Sequence, residues 1–336
     1  VGDHTDDTDL QSFAFSMKKS IMDLTVQTQY IVLQLVSQLQ KGYDYLLIIN
    51  SITEVKFILR LLHKMKHLFT TRIIVYTPFD YHYPFGIKEL EYADTVLTPT
   101  KGVKDTLYCP HGNDLLVDYP IPIGVARERV SKLLGLRPFT NDEVIILNAN
   151  RNIPRKNLEA TIECAFRVNK IRSVKITFWI HTNYSKDLWR MIAEKAKKYS
   201  IATSECFIFT ESGKSEETMN LVYNACQYSI NTSNGEGWGL STFEHGVVGG
   251  VPIVSDAMAM KDHFQEIGYC IPTVVERCQV EGETVECKKI DTEALIKVVE
   301  TLRVDEDYYR RQKAMRVYTK GFAWEKTLNI ICSVLE

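Results

Sequence analysis

The feature that most constrains this chain is an alternation. From Glu143 to Ser255, short apolar and β-branched runs (143–148, 173–180, 206–210, 228–232, 251–255) are separated by stretches with helical spacing (158–168, 186–199, 217–225, 240–248). Parallel strands need a crossover connection, and a helix is the usual one, so strands alternating with helices predict a parallel sheet covered on its faces. The series amounts to one complete doubly wound unit.

A shorter series precedes it. Residues 1–19 open with Asp3, Asp6, Asp7 and Asp9 and read as a poorly packed end, and a helix over Ser20–Gln40 is closed by Gly42. A strand at Tyr45–Asn50, a helix at Glu54–Phe69 and a strand at Arg72–Tyr76 follow, with further short strands at Asp94–Thr98 and Leu115–Val117. Around 120–140 the texture changes to Pro120, Pro122, Gly124, Gly135 and Pro138, which marks an interdomain linker. The expected fold is α/β, with two Rossmann-like doubly wound domains facing across a cleft. Residues 1–133 form the first domain, 134–318 the second, and 319–336 a terminal helix that returns to the first. No Gly-rich turn follows an opening strand, so the first domain is expected to lack its opening βα units.

Bulk properties narrow the function classes. At 336 residues the chain exceeds what one core usually supports, and a net charge of -2 gives no general attraction to nucleic acid. Its apolar runs are strand-sized, and no signal peptide precedes them, which points to the cytoplasm. The eight cysteines contain no C-x-x-C pair, against zinc and thioredoxin-type chemistry. Cys278 and Cys287 flank a hairpin; a two-residue turn at Gly282-Glu283 sets them opposite each other, where a disulfide would fit, though two reduced thiols suit a cytosolic protein better. The helix over 55–69 sets Lys56, Arg60, Lys64 and Lys66 against Ile58, Leu59, Leu62, Met65 and Phe69. That pattern fits packing on its own sheet, and also peripheral contact with an anionic membrane.

Two clusters carry chemistry. The segment Asn234-Gly235-Glu236-Gly237-Trp238-Gly239-Leu240-Ser241-Thr242-Phe243-Glu244 follows a strand and opens a helix, where N–H groups and the helix dipole favour an anion. Gly237 and Gly239 leave room for a phosphate or sugar to approach the backbone. Glu236 in the loop and Glu244 inside the helix can grip two ends of an elongated polyhydroxyl ligand through charge-assisted hydrogen bonds. The second cluster, Asn150-Arg151-Asn152-Ile153-Pro154-Arg155-Lys156-Asn157, presents Arg151 and Lys156 at the carboxyl end of a strand, suited to a diphosphate.

Together these segments resemble the retaining GT-B glycosyltransferases of glycosyltransferase family 4. The family's G-R-x-x-x-x-K, E-G-F-G-L-x-x-x-E and G-x-P-V-x-x-S correspond to Asn150-Arg151…Lys156, Glu236-Gly237-Trp238-Gly239-Leu240…Glu244 and Gly250-Val251-Pro252-Ile253-Val254-Ser255. Phe322-Ala323-Trp324-Glu325 is similar to its closing F-S-W-E, and Ala93-Asp94…Thr98 and Ile121–Val125 to looser landmarks. The resemblance implies transfer of a sugar from a UDP- or GDP-type donor to an acceptor that is a glycan or a lipid- or protein-linked sugar. It implies retention of anomeric configuration and no bound metal or other cofactor. Arg151 and Lys156 would hold the diphosphate, Glu236 the donor sugar and Glu244 the ribose. N–H groups of Trp238, Gly239, Leu240 and Ser241 would cradle sugar and phosphates.

This sequence departs from the pattern in three places. Asn150 replaces a glycine, Ala257–Asp262 replaces G-G-x-x-E, and the first-domain histidine is not at its usual strand end, where Tyr76–His82 stand instead, with Asp80 or His82 as stand-ins. The rival readings are a GT-B phosphorylase or epimerase, and a nucleotide-sugar-binding protein without transferase activity. A Rossmann dehydrogenase is disfavoured, since no G-x-G-x-x-G follows the first strand of either half.

Overall fold

The computed structural model describes residues 35–83, 86–112, 120–140, 142–171, 176–280 and 283–335. The acidic start, most of the helix over 20–40 and the strand expected at 115–117 lie outside them. The first sheet has four parallel strands in the order β1 (Tyr45–Ile49), β2 (Arg72–Tyr76), β3 (Thr95–Thr98), β4 (Leu107–Tyr108). Helix α1 (Ile52–Lys64) crosses from β1 to β2. It buries Ile52, Val55, Leu59 and Leu62, a stripe at i, i+3 and i+4 spacing. Ile58 and Met65 pack against the same cluster and Phe69 is buried in it, so the apolar face proposed for a membrane is occupied by the helix's own sheet. No helix among the described residues is long and apolar enough to cross a membrane.

Helix α2 (Ile123–Leu134) leads into the second sheet. Its six strands are all parallel, in the order β10 (Tyr269–Ile271), β9 (Val251–Ser255), β8 (Tyr228–Asn231), β5 (Val144–Asn148), β6 (Ile176–Thr182), β7 (Phe207–Glu211). Every residue of β5, β6, β8 and β9 is buried, as expected of parallel strands covered on both faces. Helices α3 (Leu158–Ile171), α4 (Lys186–Tyr199), the short α5 (Thr203–Cys206), α6 (Glu216–Ala225), α7 (Leu240–Val247) and α8 (Met258–Phe264) occupy the crossovers. Ser185 caps α4 by accepting the Leu188 N–H at 3.2 Å. Strand order reverses between β5 and β8, so the loops that leave these neighbours part toward opposite faces and open a crevice.

A two-stranded antiparallel hairpin, β11 (Thr273–Val280) and β12 (Glu283–Ile290), leaves the second sheet and reaches the first domain. The Glu286 N–H donates to the His82 carbonyl at 3.0 Å, and the His82 Nδ1 lies 2.9 Å from Glu286 Oε2. The register corrects the sequence expectation by two residues. Cys278 faces Val285 and Cys287 faces Glu276, so the thiols meet diagonally and both are free. Direct opposition, the arrangement that favours a disulfide, is lost because Val280 already pairs with Glu283.

After α9 (Thr292–Thr301) and α10 (Glu306–Lys320), helix α11 (Trp324–Leu335) returns to the first sheet. Its Ile331 joins Ile74, Tyr76, Leu97 and Cys109 in one buried cluster. The buried Thr327 hydroxyl donates to the Pro110 carbonyl at 2.6 Å, and the Cys109 thiol to the Thr327 carbonyl at 3.8 Å. Thr327→Val keeps the shape and orphans the Pro110 acceptor, so it is expected to cost roughly 1–3 kcal/mol. Urea unfolding checks this; an unchanged midpoint would show that the helix is not held there.

Candidate active site

The crevice between β5 and β8 opens into a cavity of about 600 Å³, walled by both domains. From the second domain, the loop after β5 contributes Asn150, Arg151, Arg155 and Lys156. The loop after β8 and the start of α7 contribute Glu236, Trp238, Gly239, Leu240, Ser241 and Glu244. From the first domain come Ile49, Asn50, Tyr76, Pro78, Asp80 and His111. The site residues expected from the sequence line this cavity except His82 and Gly237; the Gly237 N–H donates to Asp80 Oδ1 at 3.1 Å.

The two expected cations differ. Arg151 is exposed at the rim and makes no ion pair among the described residues. Lys156 is buried and its ammonium bonds Glu236 Oε2 directly. Arg155, unassigned from the sequence although it stands within the motif, ties the cluster together. Its guanidinium donates to the Gly235 carbonyl at 2.7 Å and lies 3.0 Å from Asp80 Oδ2 and 3.4 Å from Glu236 Oε2. Burial alone would raise the Glu236 carboxyl, but Lys156 and Arg155 hold it below its ordinary value, so it is a carboxylate at neutral pH. At Asp80 burial prevails over Arg155 and, helped by the Glu236 charge, lifts that carboxyl above its ordinary value. Two carboxyls in one cavity are thus pushed in opposite directions.

The glycines have a different reason from the one the sequence suggested. A Cβ on Gly237 would stand 2.7 Å from the Pro78 Cβ, and one on Gly235 2.0 Å from the Asp80 carbonyl oxygen. Their room is filled by the first-domain loop, not left for a ligand. Thr100 seals that contact, donating to the Gly237 carbonyl at 2.9 Å while accepting the Phe79 N–H at 3.1 Å. Gly239 caps α7 at φ 96°, a left-handed conformation that favours glycine. The first N–H groups of α7 follow it, and a helix leaves such groups without intrahelical acceptors.

Trp238 is buried and stacks on Phe243 at 4.4 Å, with Phe322 edge-on at 5.2 Å and His263 at 4.5 Å. The ring fixes the loop from behind. Met260 adds support under Gly239, and the Ala259 N–H donates to the Glu236 carbonyl at 3.2 Å. The segment that replaces G-G-x-x-E therefore buttresses the site, with Met258 held at φ 45°. Asn150 donates to Asn148 Oδ1 at 2.8 Å, part of a buried ladder through Thr161 to Thr232, and this fixes the loop after β5. Glu244 accepts the hydroxyl of Tyr223, a partner 21 residues away that no local pattern announces. His181 and Lys214 close the far end of the cavity; burial, with help from Lys214, lowers the His181 pKa and keeps the ring neutral. His82 lies outside the cavity, engaged with Glu286.

Among solved structures the chain is similar to HepE of Anabaena in complex with UDP and glucose, at 13% identity over 92% of this chain and 82% of that one, with a TM-score of 0.69. Sucrose-phosphate synthase of Thermosynechococcus elongatus gives 15% identity, 93% and 79% coverage and 0.66. The chain has the GT-B fold. The catalytic domain of starch synthase IV from Arabidopsis thaliana, bound to ADP and acarbose, aligns at 13% identity, 94% and 77% coverage and a TM-score of 0.64. No protein family and no curated protein gives a match to the sequence.

Two expectations follow from this GT-B crevice. Lys156→Met leaves Glu236 buried with Arg155 as its one distant cation and only the Ser233 hydroxyl beside it, and is expected to cost on the order of 3 kcal/mol. The double variant Lys156→Met/Glu236→Leu should recover most of that loss in urea unfolding, and a single variant as stable as wild type would refute the pairing. The second concerns pH. Burial lowers His263 to about 3 and His245 to about 4, so the folded state leaves both neutral while the unfolded chain protonates below its ordinary value. Stability is therefore complete above about pH 6.5 and falls as pH drops toward these folded values, each histidine adding up to about 1.4 kcal/mol per pH unit. His263→Phe should flatten that slope; the same slope in both proteins would exclude His263 as its source.

Proposed function

We propose that the protein is a metal-independent glycosyltransferase that moves a sugar from a UDP- or GDP-type donor to an acceptor with retention of configuration. One observation carries the reading. A single interdomain cavity gathers an exposed cation at Arg151, a buried cation at Lys156, the helix start at Gly239–Ser241, and carboxylates at Glu236 and Glu244. That is the inventory a nucleotide diphosphate sugar asks for. Diphosphate charge meets Arg151, Lys156 and the N–H groups of α7, ribose hydroxyls meet Glu244, and sugar hydroxyls meet Glu236. Fixed positive groups at the leaving diphosphate lower the barrier without a metal, because they need no reorganisation as charge develops. Proteins of the same fold captured with UDP and glucose, or with ADP and acarbose, support a nucleotide in this crevice. The motifs support kinship with glycosyltransferase family 4. On this reading residues 1–133 receive the acceptor, 134–318 bind the donor and 319–336 join them. The acceptor is a glycan or a lipid- or protein-linked sugar.

The Lys156–Glu236 pair gives the site a specific chemistry. A donor phosphate competes with Glu236 for the ammonium, and Glu236 released from it is free to accept from sugar hydroxyls. Asp80, with its raised pKa, stands on the first-domain side and shares the Arg155 guanidinium with Glu236, which makes it the first-domain candidate for a role at the sugar.

Thermal shift and calorimetry with UDP, GDP, ADP and their sugar conjugates test the proposal on wild type and Glu244→Ala. One nucleotide should stand out, stabilising by about 2.7 kcal/mol at a hundredfold excess over its Kd, and Glu244→Ala should lose most of that gain. If no nucleotide or conjugate raises the unfolding temperature, the proposal fails. Binding without release of nucleotide in the presence of any acceptor would convert it to the binding-protein reading.

A further inference from the structure

A second cavity lies on the other side of the second domain, at the N-terminal ends of β5, β8 and β9. It measures about 560 Å³, nearly the size of the cleft cavity and within the range of small-molecule sites. The linker Pro120–Ile123 forms one wall and α10, through Tyr308, Gln312 and Arg316, forms another.

Its distinguishing feature is uncompensated charge. Arg127, Arg303 and Arg316 all line it, and among the described residues Asp142 is the sole carboxylate that lines it. Arg127 donates to the carbonyls of Ala225, Thr140 and Glu143 and to Gln227 Oε1, at 2.9 to 3.1 Å. Arg316 donates twice to the Val248 carbonyl, at 3.0 and 2.8 Å. Arg303 donates to the Glu300 and Leu302 carbonyls, at 3.2 and 2.7 Å. Every acceptor is neutral, and none of the three arginines forms an ion pair among the described residues. Burial lowers the pKa of Arg127, the mark of a charge held without a counter-charge strong enough to offset its desolvation. Arg303 and Arg316 keep unused N–H donors, in the forked geometry that matches phosphate.

Its position links it to the cleft. Tyr223 lines both cavities, and its hydroxyl holds Glu244. The Ile121 N–H of the linker donates to Asn224 Oδ1 at 2.8 Å, one residue along the same helix. A ligand here would touch both the linker and the side chain that positions Glu244.

We propose that this cavity binds a phosphate-bearing small molecule on Arg303 and Arg316, and that its occupancy changes nucleotide affinity in the cleft through Tyr223. The coupling rests on the nucleotide-sugar reading of the cleft; the anion site does not. Linkage makes the effect reciprocal, and couplings of this kind span about 5- to 150-fold.

Calorimetry of the whole chain with glucose 6-phosphate, glucose and inorganic phosphate tests the site. Glucose 6-phosphate should bind and glucose should not, while binding of inorganic phosphate alone would assign recognition to the phosphate group. Because cleft cations also attract phosphate, Arg151→Gln serves as the control. Binding should survive Arg151→Gln and disappear in Arg303→Glu, a surface change that leaves the fold intact, and in Arg316→Gln. No binding in wild type, or loss in Arg151→Gln with retention in Arg303→Glu, overturns the site. Saturating glucose 6-phosphate should shift the Kd for UDP by about fivefold or more in wild type and not in Tyr223→Phe. An unmoved Kd overturns the coupling. If UDP does not bind at all, the cleft reading and the coupling fail while the anion site is judged by its own titration.

Discussion

Lys156 and Arg155 face Glu236 and Asp80 across the crevice, and this cluster of two cations and two carboxyls is what the rest of the interface depends on. Three of the four groups belong to the second domain and Asp80 to the first. The cluster therefore neutralises the site and joins the halves at once. Charges withdrawn from water are costly unless paired and hydrogen-bonded, so the surrounding loops are shaped to satisfy them. Gly235 supplies a carbonyl to Arg155, Gly237 an N–H to Asp80, and Ser233 a hydroxyl to Glu236. Arg151 is left at the rim with its charge available. On the proposed reading, a donor phosphate meets Arg151 first and then competes with Glu236 for Lys156. On that reading, a ligand with both phosphate and hydroxyl groups compensates Lys156 and Glu236 together.

The sheet puts these groups side by side. Neighbouring parallel strands whose crossovers go to opposite faces leave a gap at their carboxyl ends, and β5 and β8 are that pair. The cations leave one strand and the carboxylate-bearing loop the other, so residues about eighty apart in sequence come within hydrogen-bonding distance.

Much of this was legible in the sequence, and the parts that were not share a cause. Strands buried on both faces must be continuously apolar, so β5, β6, β8 and β9 announce themselves. Strand β4 does not, because it is two exposed residues long and defined only by its partner. Cations and carboxylates of the site stand out as motif letters, whereas Tyr223, Thr100 and His111 act through contacts between distant segments. The glycines were legible as positions where a side chain is forbidden, but what forbids it is the Pro78–Asp80 loop, and sequence spacing cannot name a neighbour over a hundred residues away. The hairpin register turned on which residues make its turn, and a slip of two kept each cysteine on the expected face while removing its opposite partner.

The closing segment shows why the far end of the chain bears on the cleft. Phe322 packs against Trp238 and Phe243, bracing the loop that carries Glu236, and two residues later α11 begins and docks on the first sheet. One short stretch thus supports the second-domain loop from behind and anchors the first domain. Other links across the crevice are the charge cluster, the half-exposed His82–Glu286 contact, and the buried Thr100–Gly237 bond with the close Pro78–Gly237 packing beside it. Polar links exchange readily with water or ligand, whereas buried apolar packing does not. The exposed ion-pair links are therefore the ones open to exchange, while α11 and the packing of Pro78 on Gly237 hold the two halves together.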